Sequence, residues 1–323
     1  MSGPARLDYG ALGFGAAAIG NLYTAVSDQD AAEAVHAARE AGVRYFDTAP
    51  HYGLGLSERR LGAALRDCPR DSYVLSTKVG RVLVPSDAGG RDEGFDVPAT
   101  HRRVIDYSAD GVRRSLADSL ERLGLDRVDL VLIHDPEEGP EAAADQAYPA
   151  LRELRDQGVI GAIGAGSKSW EVLADLVRRT ELDMVMPAGR YTLLEQPALA
   201  GLFPLCAERG TEVIAAGVFN SGLLATDEPA ADAFYDYEAA PPELVERARR
   251  TAAVARRHGV TLPQAALAFP ATHPVVAGIV VGARTAAEVR RNAELMARPV
   301  PGALWAELAA EGLLGPEVPL PGE

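Results

Sequence analysis

The sequence predicts a single-domain α/β barrel, in which eight parallel strands close on themselves inside a ring of helices. Three observations carry that expectation. Short β-type runs alternate with helical stretches along the chain, the pattern of parallel strands joined by crossover helices. The alternation repeats eight times. Residues able to do chemistry gather just after the strands, where such a barrel builds its site. The 323 residues suffice for one unit of this kind, which commonly takes ~250 residues or more.

The strand candidates are Leu12–Ala16, Val43–Asp47, Tyr73–Thr77, Val128–Ile133, Ile160–Ala165, Asp183–Met186, Glu212–Ala216 and Gly278–Val281. Helical patterns follow them at 28–41 and 57–66, then 110–123, 146–157, 169–179, 197–209, 242–258 and 285–297. Asp28 precedes a run of helix formers that Gly42 stops, Ser57-Glu58 opens the next helix, and Gly124 and Gly158 stand where helix-ending glycines belong. Val82–Asp106, rich in Gly, Pro and charge, reads as a long functional loop over one mouth. The domain is expected to span 1–323, with the Pro-rich tail 299–323 packing across the outside by a short helix near Leu304–Ala310.

A formal net charge of −14, from 46 acidic against 32 basic residues, repels phosphate backbones and anionic lipid, so nucleic acid is not an expected partner. No apolar run approaches the ~18 residues needed to cross a bilayer. Met1–Asp8 has neither a basic nor an apolar leader segment, which makes a cytoplasmic protein the expectation. Cys68 and Cys206 lack metal-ligand spacing, and no metal is expected. Gly158, Gly161, Gly164 and Gly166 precede or lie within the fifth strand, so they do not form a dinucleotide-binding turn.

The strand ends carry the chemistry. Asp47 and, five residues on, Tyr52 follow the second strand, Lys78 the third and His134 the fourth. A phenol ionises near ~10 and is a poor base by itself. A cation at ~4 Å contributes ~4 kcal/mol at an effective dielectric of ~20, on the order of three pKa units. Lys78 can supply that cation, Asp47 can hold the lysine charged, and His134 can hydrogen-bond a substrate oxygen. Singly, each residue also suits an ordinary role as cap, salt bridge or packing group. Their convergence on one rim makes the case.

The stretches FDTAPHYGLGLSERRLG at 46–62, STKVG at 76–80, RSLADSLERLGLDRVDLVLIHDP at 114–136 and VVGARTAAEVRRN at 280–292 resemble the aldo-keto reductases over nearly the whole chain. The resemblance implies a (β/α)8 TIM barrel, a nicotinamide cofactor and a catalytic tetrad of Asp47, Tyr52, Lys78 and His134. AIGNLYTAVSDQDA, AGRYTLLEQPAL and GVFNSGLLA look like a subgroup of aldose 1-dehydrogenases acting on L-fucose or related sugars; pyridoxal 4-dehydrogenases look very similar. Tyr23, His51, Arg190 and Tyr191 are then candidates to meet the small-molecule substrate.

By the same resemblance Gly217, Phe219 and Ser221 line the cofactor phosphates. Gly282 and Arg284 lead into a helix whose N-terminus receives the adenosine end, with Glu288 and Asn292 toward ribose and adenine. Two departures stand out. Ser167-Lys168 occupies the place of the family's Ser-Asn beside the carboxamide, and Gly282 and Glu288 stand where phosphate-selective members often carry cations. NAD is the expected cofactor, with NADP possible, in a monomer or homodimer. A general aldehyde or ketone reductase, a Schiff-base lyase using Lys78 and a cofactor-sensing binding module are the competing functions.

Overall fold

Side-chain alternation decides what fills the barrel and what faces the helices. In the computed structural model, which describes residues 7–320 apart from 88, 93 and 237, the eight barrel strands are β1 (Leu12–Gly15), β2 (Tyr45–Asp47), β3 (Val74–Val79), β4 (Val128–His134), β5 (Ile160–Ser167), β6 (Met184–Pro187), β7 (Glu212–Ala216) and β8 (Val276–Gly282). All pair in parallel and close in the order β1-β8-β7-β6-β5-β4-β3-β2. Most of Met1–Asp8 and the last three residues of the 299–323 tail lie outside the described residues.

On β2 the inward residues are Tyr45 and Asp47, and Phe46 faces the helices. Val74, Ser76 and Lys78 face inward from β3, while Leu75, Thr77 and Val79 face out. Leu130, Leu132 and His134 face inward from β4. Tyr45, Val74, Leu130, Leu132, Met184, Met186 and Ile214 form one buried cluster, the filling of the barrel, with Tyr9 set edge-on against Tyr45 at 5.1 Å. Leu75, Val79, Val131 and Ile133 instead join the larger core beneath the helices. The apolar filling stops one layer short of the C-terminal mouth, and polar residues take over.

Helix limits differ locally from the sequence reading. The first helix is capped by the Ser27 side chain, which accepts from the Asp30 N–H, so Asp28 is its first helical residue. Ser57 lies inside the helix Leu56–Leu65, where its buried hydroxyl donates to the Ala16 carbonyl and meets Thr48. The stretch at 197–209 is a short 3-10 turn, Pro197–Ala200, then a helix, Leu202–Arg209, broken at Gly201. The helix Leu262–Ala268 was not expected. Val82–Asp106 is largely a loop anchored by an antiparallel hairpin, Arg81–Pro85 with His101–Ile105. The helix Gly302–Ala310 buries Leu304, Trp305 and Leu308 and sets Trp305 edge-on to Phe269 at 5.9 Å.

One helix contact tolerates no side chain. A Cβ on Gly62 would lie 2.0 Å from the Leu123 carbonyl oxygen at the end of the helix Ala109–Leu123. Gly62→Ala must push the two helices apart, at a cost of about 1–3 kcal/mol despite its better helix propensity. The expected result is a lower denaturant midpoint; an unchanged or raised midpoint would show that this contact yields freely.

Candidate active site

Lys78 is the centre of the mouth. Its ammonium group has three hydrogens and three acceptors: Asp47 Oδ2 at 2.6 Å, the Thr48 carbonyl at 3.0 Å and the Tyr52 hydroxyl at 3.1 Å. The Lys78 and Asp47 side chains are 3% and 4% exposed. Burial alone pulls a lysine pKa down, yet the Asp47 carboxylate and the Tyr52 oxygen outweigh it and hold Lys78 well above its ordinary value. Because Tyr52 accepts from Lys78, its own hydrogen is left for another acceptor. Tyr52 sits on the turn after β2, where Gly53 has φ +60 and a Cβ would come 2.1 Å from the Gly20 carbonyl oxygen. Only glycine allows the first loop to close over the backbone beside Tyr52.

Two histidines complete the wall. His134, at the end of β4, has its ring 6.0 Å from that of Tyr52, and Tyr107 fixes this strand end by donating to the carbonyls of His134 and Asp135 at 2.8 and 2.6 Å. His51 lies edge-on to His134, with centroids 5.5 Å apart. Burial, together with the positive charges of Lys78, Arg81 and Arg103, keeps the His134 pKa far below its usual range. Burial, then His134 and Arg103, brings His51 down to about 2. Both rings are therefore held toward the neutral form.

The loop over the mouth contributes more than its sequence revealed. Phe95 lies nearly parallel to Tyr52 at 6.2 Å and edge-on to His51 at 5.5 Å. Arg103 donates to the His51 carbonyl at 2.9 Å while Asp92 holds its guanidinium. Arg81 pairs with Asp135 at 3.0 Å and Glu138 at 2.6 Å. Nothing in the composition of this segment distinguished Phe95, Arg103 or Arg81 from ordinary loop residues.

The structure corrects one substrate candidate. Tyr191 is fully buried away from the mouth, packed on Phe203 at 4.7 Å and Phe269 at 4.9 Å with its hydroxyl on Thr272 at 2.9 Å. The chain turns back into the helical layer after β6, so a residue expected on the rim becomes core. Arg190 is half-buried and committed to a loop clamp, donating to the Lys168 carbonyl at 2.7 Å and to Asp236 at 2.5 Å. Tyr23 is exposed and stacks on Phe234 at 6.3 Å, bridging the loops after β1 and β7.

Of the cofactor candidates, Gly217 has φ +66, and a Cβ there would press to 3.0 Å on the Gly189 nitrogen. Phe219 is half-buried and Ser221 exposed on the same loop. Between them Asn220, not among the candidates named from the sequence, is buried with neither atom of its amide paired among the described residues. An unpaired buried polar group costs about 1–3 kcal/mol, which a bound polar ligand can restore, so this loop fits a dinucleotide. At the β8 end Gly282 is exposed, and Thr285 caps the helix Ala286–Met296. The Thr285 hydroxyl accepts from the Glu288 N–H at 3.2 Å, and the Glu288 carboxylate accepts from the Arg284 N–H at 2.7 Å, just ahead of the cap. Arg284 reaches toward the Leu22 carbonyl at 3.5 Å, and Asn292 is half-buried on the helix. Ser167 is buried and its hydroxyl is spent, donating to Glu137 at 2.6 Å and accepting from the Ser169 N–H at 2.8 Å. Lys168 is half-buried beside it.

A closed eight-stranded barrel with this ion pair against a tyrosine at its C-terminal mouth is the architecture of a nicotinamide-dependent oxidoreductase. The Aldo/keto reductase family model matches residues 11–310, and the chain belongs to that family. It is 50% identical to the D-threo-aldose 1-dehydrogenase of a Pseudomonas species and 37% identical to the pyridoxal 4-dehydrogenase of Microbacterium luteolum, each over 94% of both chains. Its fold matches the solved glycerol dehydrogenase of Gluconobacter oxydans with a TM-score of 0.75 at 24% identity, over 99% of this chain and 96% of that one.

Two expectations follow. Removing the Tyr191 hydroxyl in Tyr191→Phe loses one hydrogen bond, about 1 kcal/mol of stability, and leaves kcat/KM as it was; a tenfold fall in kcat/KM with a sugar would return Tyr191 to the site. The neutral histidines also set a stability limit. Unfolded, each binds a proton below its usual 6.5, and folded it does not, so stability falls with pH below that value. The loss is about 1.4 kcal/mol per pH unit for each ring. Denaturation series from pH 7.5 to 5 should reveal it, with a shallower slope in His51→Gln; identical slopes would mean that His51 protonates in the folded protein.

Proposed function

We propose that this protein is an aldose 1-dehydrogenase, oxidising the anomeric carbon of an L-fucose-like aldopyranose to the lactone with NAD preferred over NADP. The observation that carries this reading is the Lys78 ammonium with one hydrogen directed at the Tyr52 hydroxyl at the open mouth. The likeness to an aldose 1-dehydrogenase over 94% of the chain supports the substrate class. So do the polar and aromatic groups around the mouth, Tyr23, His51, Phe95 and His134, which suit a compact polyhydroxylated ring.

A nicotinamide cofactor, when bound, supplies the hydride acceptor. The residues that would hold it are Gly217, Phe219, Asn220 and Ser221 after β7 and Gly282, Arg284 and the helix at Thr285 after β8. Tyr52 handles the proton: as phenolate it takes the hydrogen of the C1 hydroxyl, and as phenol it returns one in the reverse direction. Lys78 stabilises the phenolate, and Asp47 keeps that lysine charged and aimed. His134, neutral, shares a hydrogen bond with the reacting oxygen and holds it near Tyr52. At the adenosine end the exposed Glu288 carboxylate repels a 2′-phosphate, whereas a free 2′-hydroxyl carries no charge for it to repel. Discrimination of ~1–2 kcal/mol, about ten- to thirtyfold, is expected at a partly exposed site.

The test is a panel of aldoses and pyridoxal, each with NAD and with NADP, in the oxidative direction. L-fucose or a stereochemically related aldose should lead, with NAD ahead. A pyridoxal kcat/KM tenfold above every sugar's, or a preference for NADP, would overturn the corresponding part. Tyr52→Phe should lower turnover ~100-fold or more while cofactor affinity, read by quenching of protein fluorescence, stays unchanged. Near-normal turnover in that variant removes Tyr52 from the mechanism.

A further inference from the structure

Below the Asp47–Lys78 pair the barrel interior carries two hydroxyls that no step above uses. Ser76 Oγ donates to Asp47 Oδ1 at 2.7 Å, and Tyr45 OH lies 2.9 Å from Ser76 Oγ. Tyr45 and Ser76 are 1% and 0% exposed. A hydroxyl has one hydrogen to give. Since the Asp47 carboxylate can only accept, the Ser76 hydrogen goes to Asp47, and Tyr45 must therefore be the donor to Ser76. The chain runs one way: Tyr45 to Ser76, Ser76 to Asp47 Oδ1, with Asp47 Oδ2 left for Lys78 and the next Lys78 hydrogen for Tyr52. Strand geometry forces the placement. Tyr45 and Asp47 are successive inward residues of β2, Ser76 and Lys78 of β3, and the register sets Asp47 beside Ser76.

We propose that Tyr45 and Ser76 are positioning residues for the proton-transfer step, a donor relay that fixes the Asp47 carboxylate and so tunes Tyr52. The inference rests on the acid–base role given to Tyr52 above. Two effects act in the same direction. The relay keeps Asp47 Oδ1 occupied, so Asp47 cannot draw a second hydrogen from Lys78 and turn the ammonium away from Tyr52. Its aligned O–H dipoles also present their positive end to the mouth, which favours negative charge on the Tyr52 oxygen. Burial and the Asp47 charge keep Tyr45 itself protonated far above the usual range of a phenol, so it remains a donor throughout.

The other groups around Tyr52 leave this contribution separable. Lys78 and Asp47 form the pair, His51 and His134 are neutral, and Arg81 and Arg103 are matched by Asp135, Glu138 and Asp92. Among the described residues, Asp47 is the one of these that hydrogen-bonds Ser76 through its side chain.

The experiment is carbon-13 NMR of the full-length protein with ring-labelled tyrosine, the Tyr52 signal assigned by its disappearance in Tyr52→Phe. Titration of that signal needs neither turnover nor cofactor, so it remains readable even if Tyr52→Phe proves active and the acid–base reading fails. In Ser76→Ala the Tyr52 midpoint should rise by about 0.5 to 1 pH unit, a three- to tenfold change in its ionisation constant, and the ascending limb of the kcat/KM profile for oxidation should move up with it. Tyr45→Phe, which keeps the ring and the packing, should shift the midpoint the same way by less. Wild-type midpoints in Tyr45→Phe and in any folded Ser76→Ala overturn the relay, even if the rates fall. So does a downward shift.

Discussion

A buried ion pair governs this molecule. Taking a carboxylate and an ammonium out of water costs several kcal/mol each, repaid only when geometry is good and the remaining donors and acceptors are satisfied. Asp47 and Lys78 meet both conditions: 2.6 Å apart, with Thr48, Tyr52 and Ser76 taking up the rest. Those partners come from adjacent strands, so the pair also fixes the stagger of β2 on β3. Slipping β3 by one residue would turn Lys78 toward the helices and Thr77 toward Asp47. The chemistry of the mouth and the register of the barrel are thus one constraint.

The outward face of β3 is pinned as firmly as its inward face. Thr77 donates to Glu58 at 2.7 Å, and Arg122 pairs with the other oxygen of that fully buried carboxylate at 2.6 Å. This ties β3 to two helices directly behind Lys78. Above the barrel, Arg190–Asp236 and Tyr235–Glu195 strap the loop after β7 to the loop after β6, and the Tyr23–Phe234 stack carries it across to the loop after β1. Groups that look suited to a sugar, a guanidinium and several phenols, are spent largely on holding loops.

The strands were legible because each is a short apolar run bounded by turn residues, and the strand-end residues Asp47, Lys78 and His134 because their place on the strand dictates their place on the rim. Tyr191 was misread for the complementary reason: after β6 the path of the chain is set by tertiary packing on Phe203 and Phe269, which no local pattern encodes. The helix Leu262–Ala268 is buried almost all round, so it lacks the polar face that marks an amphipathic helix. Ser76 and Tyr45 had the right alternation to be found, but a serine and a tyrosine in a strand carry no signal until their partners are known. Phe95 and Arg103 reach the site through a hairpin whose sequence resembles any charged loop.

The charges at the mouth are paired, although the chain as a whole is acidic. The protein carries −14 overall, and at the mouth Lys78, Arg81 and Arg103 stand against Asp47, Asp135, Glu138 and Asp92. Burial first, and then the positive charges around them, hold both histidine pKa values far below the usual range. Imidazole is the usual acid–base group near neutrality, and here it is withdrawn from that role twice over. Cys206 is buried with its thiol pushed up to about 12, Tyr45 is sealed below the pair, and Lys78 is held protonated by Asp47. Tyr52, half-buried with an ammonium at 3.1 Å, is the group to which the proposed function gives the proton. Burial favours the neutral form of an imidazole and of a phenol alike, so what sets Tyr52 apart is the neighbouring cation: Lys78 opposes charge on the histidines and, at 3.1 Å, favours negative charge on the Tyr52 oxygen.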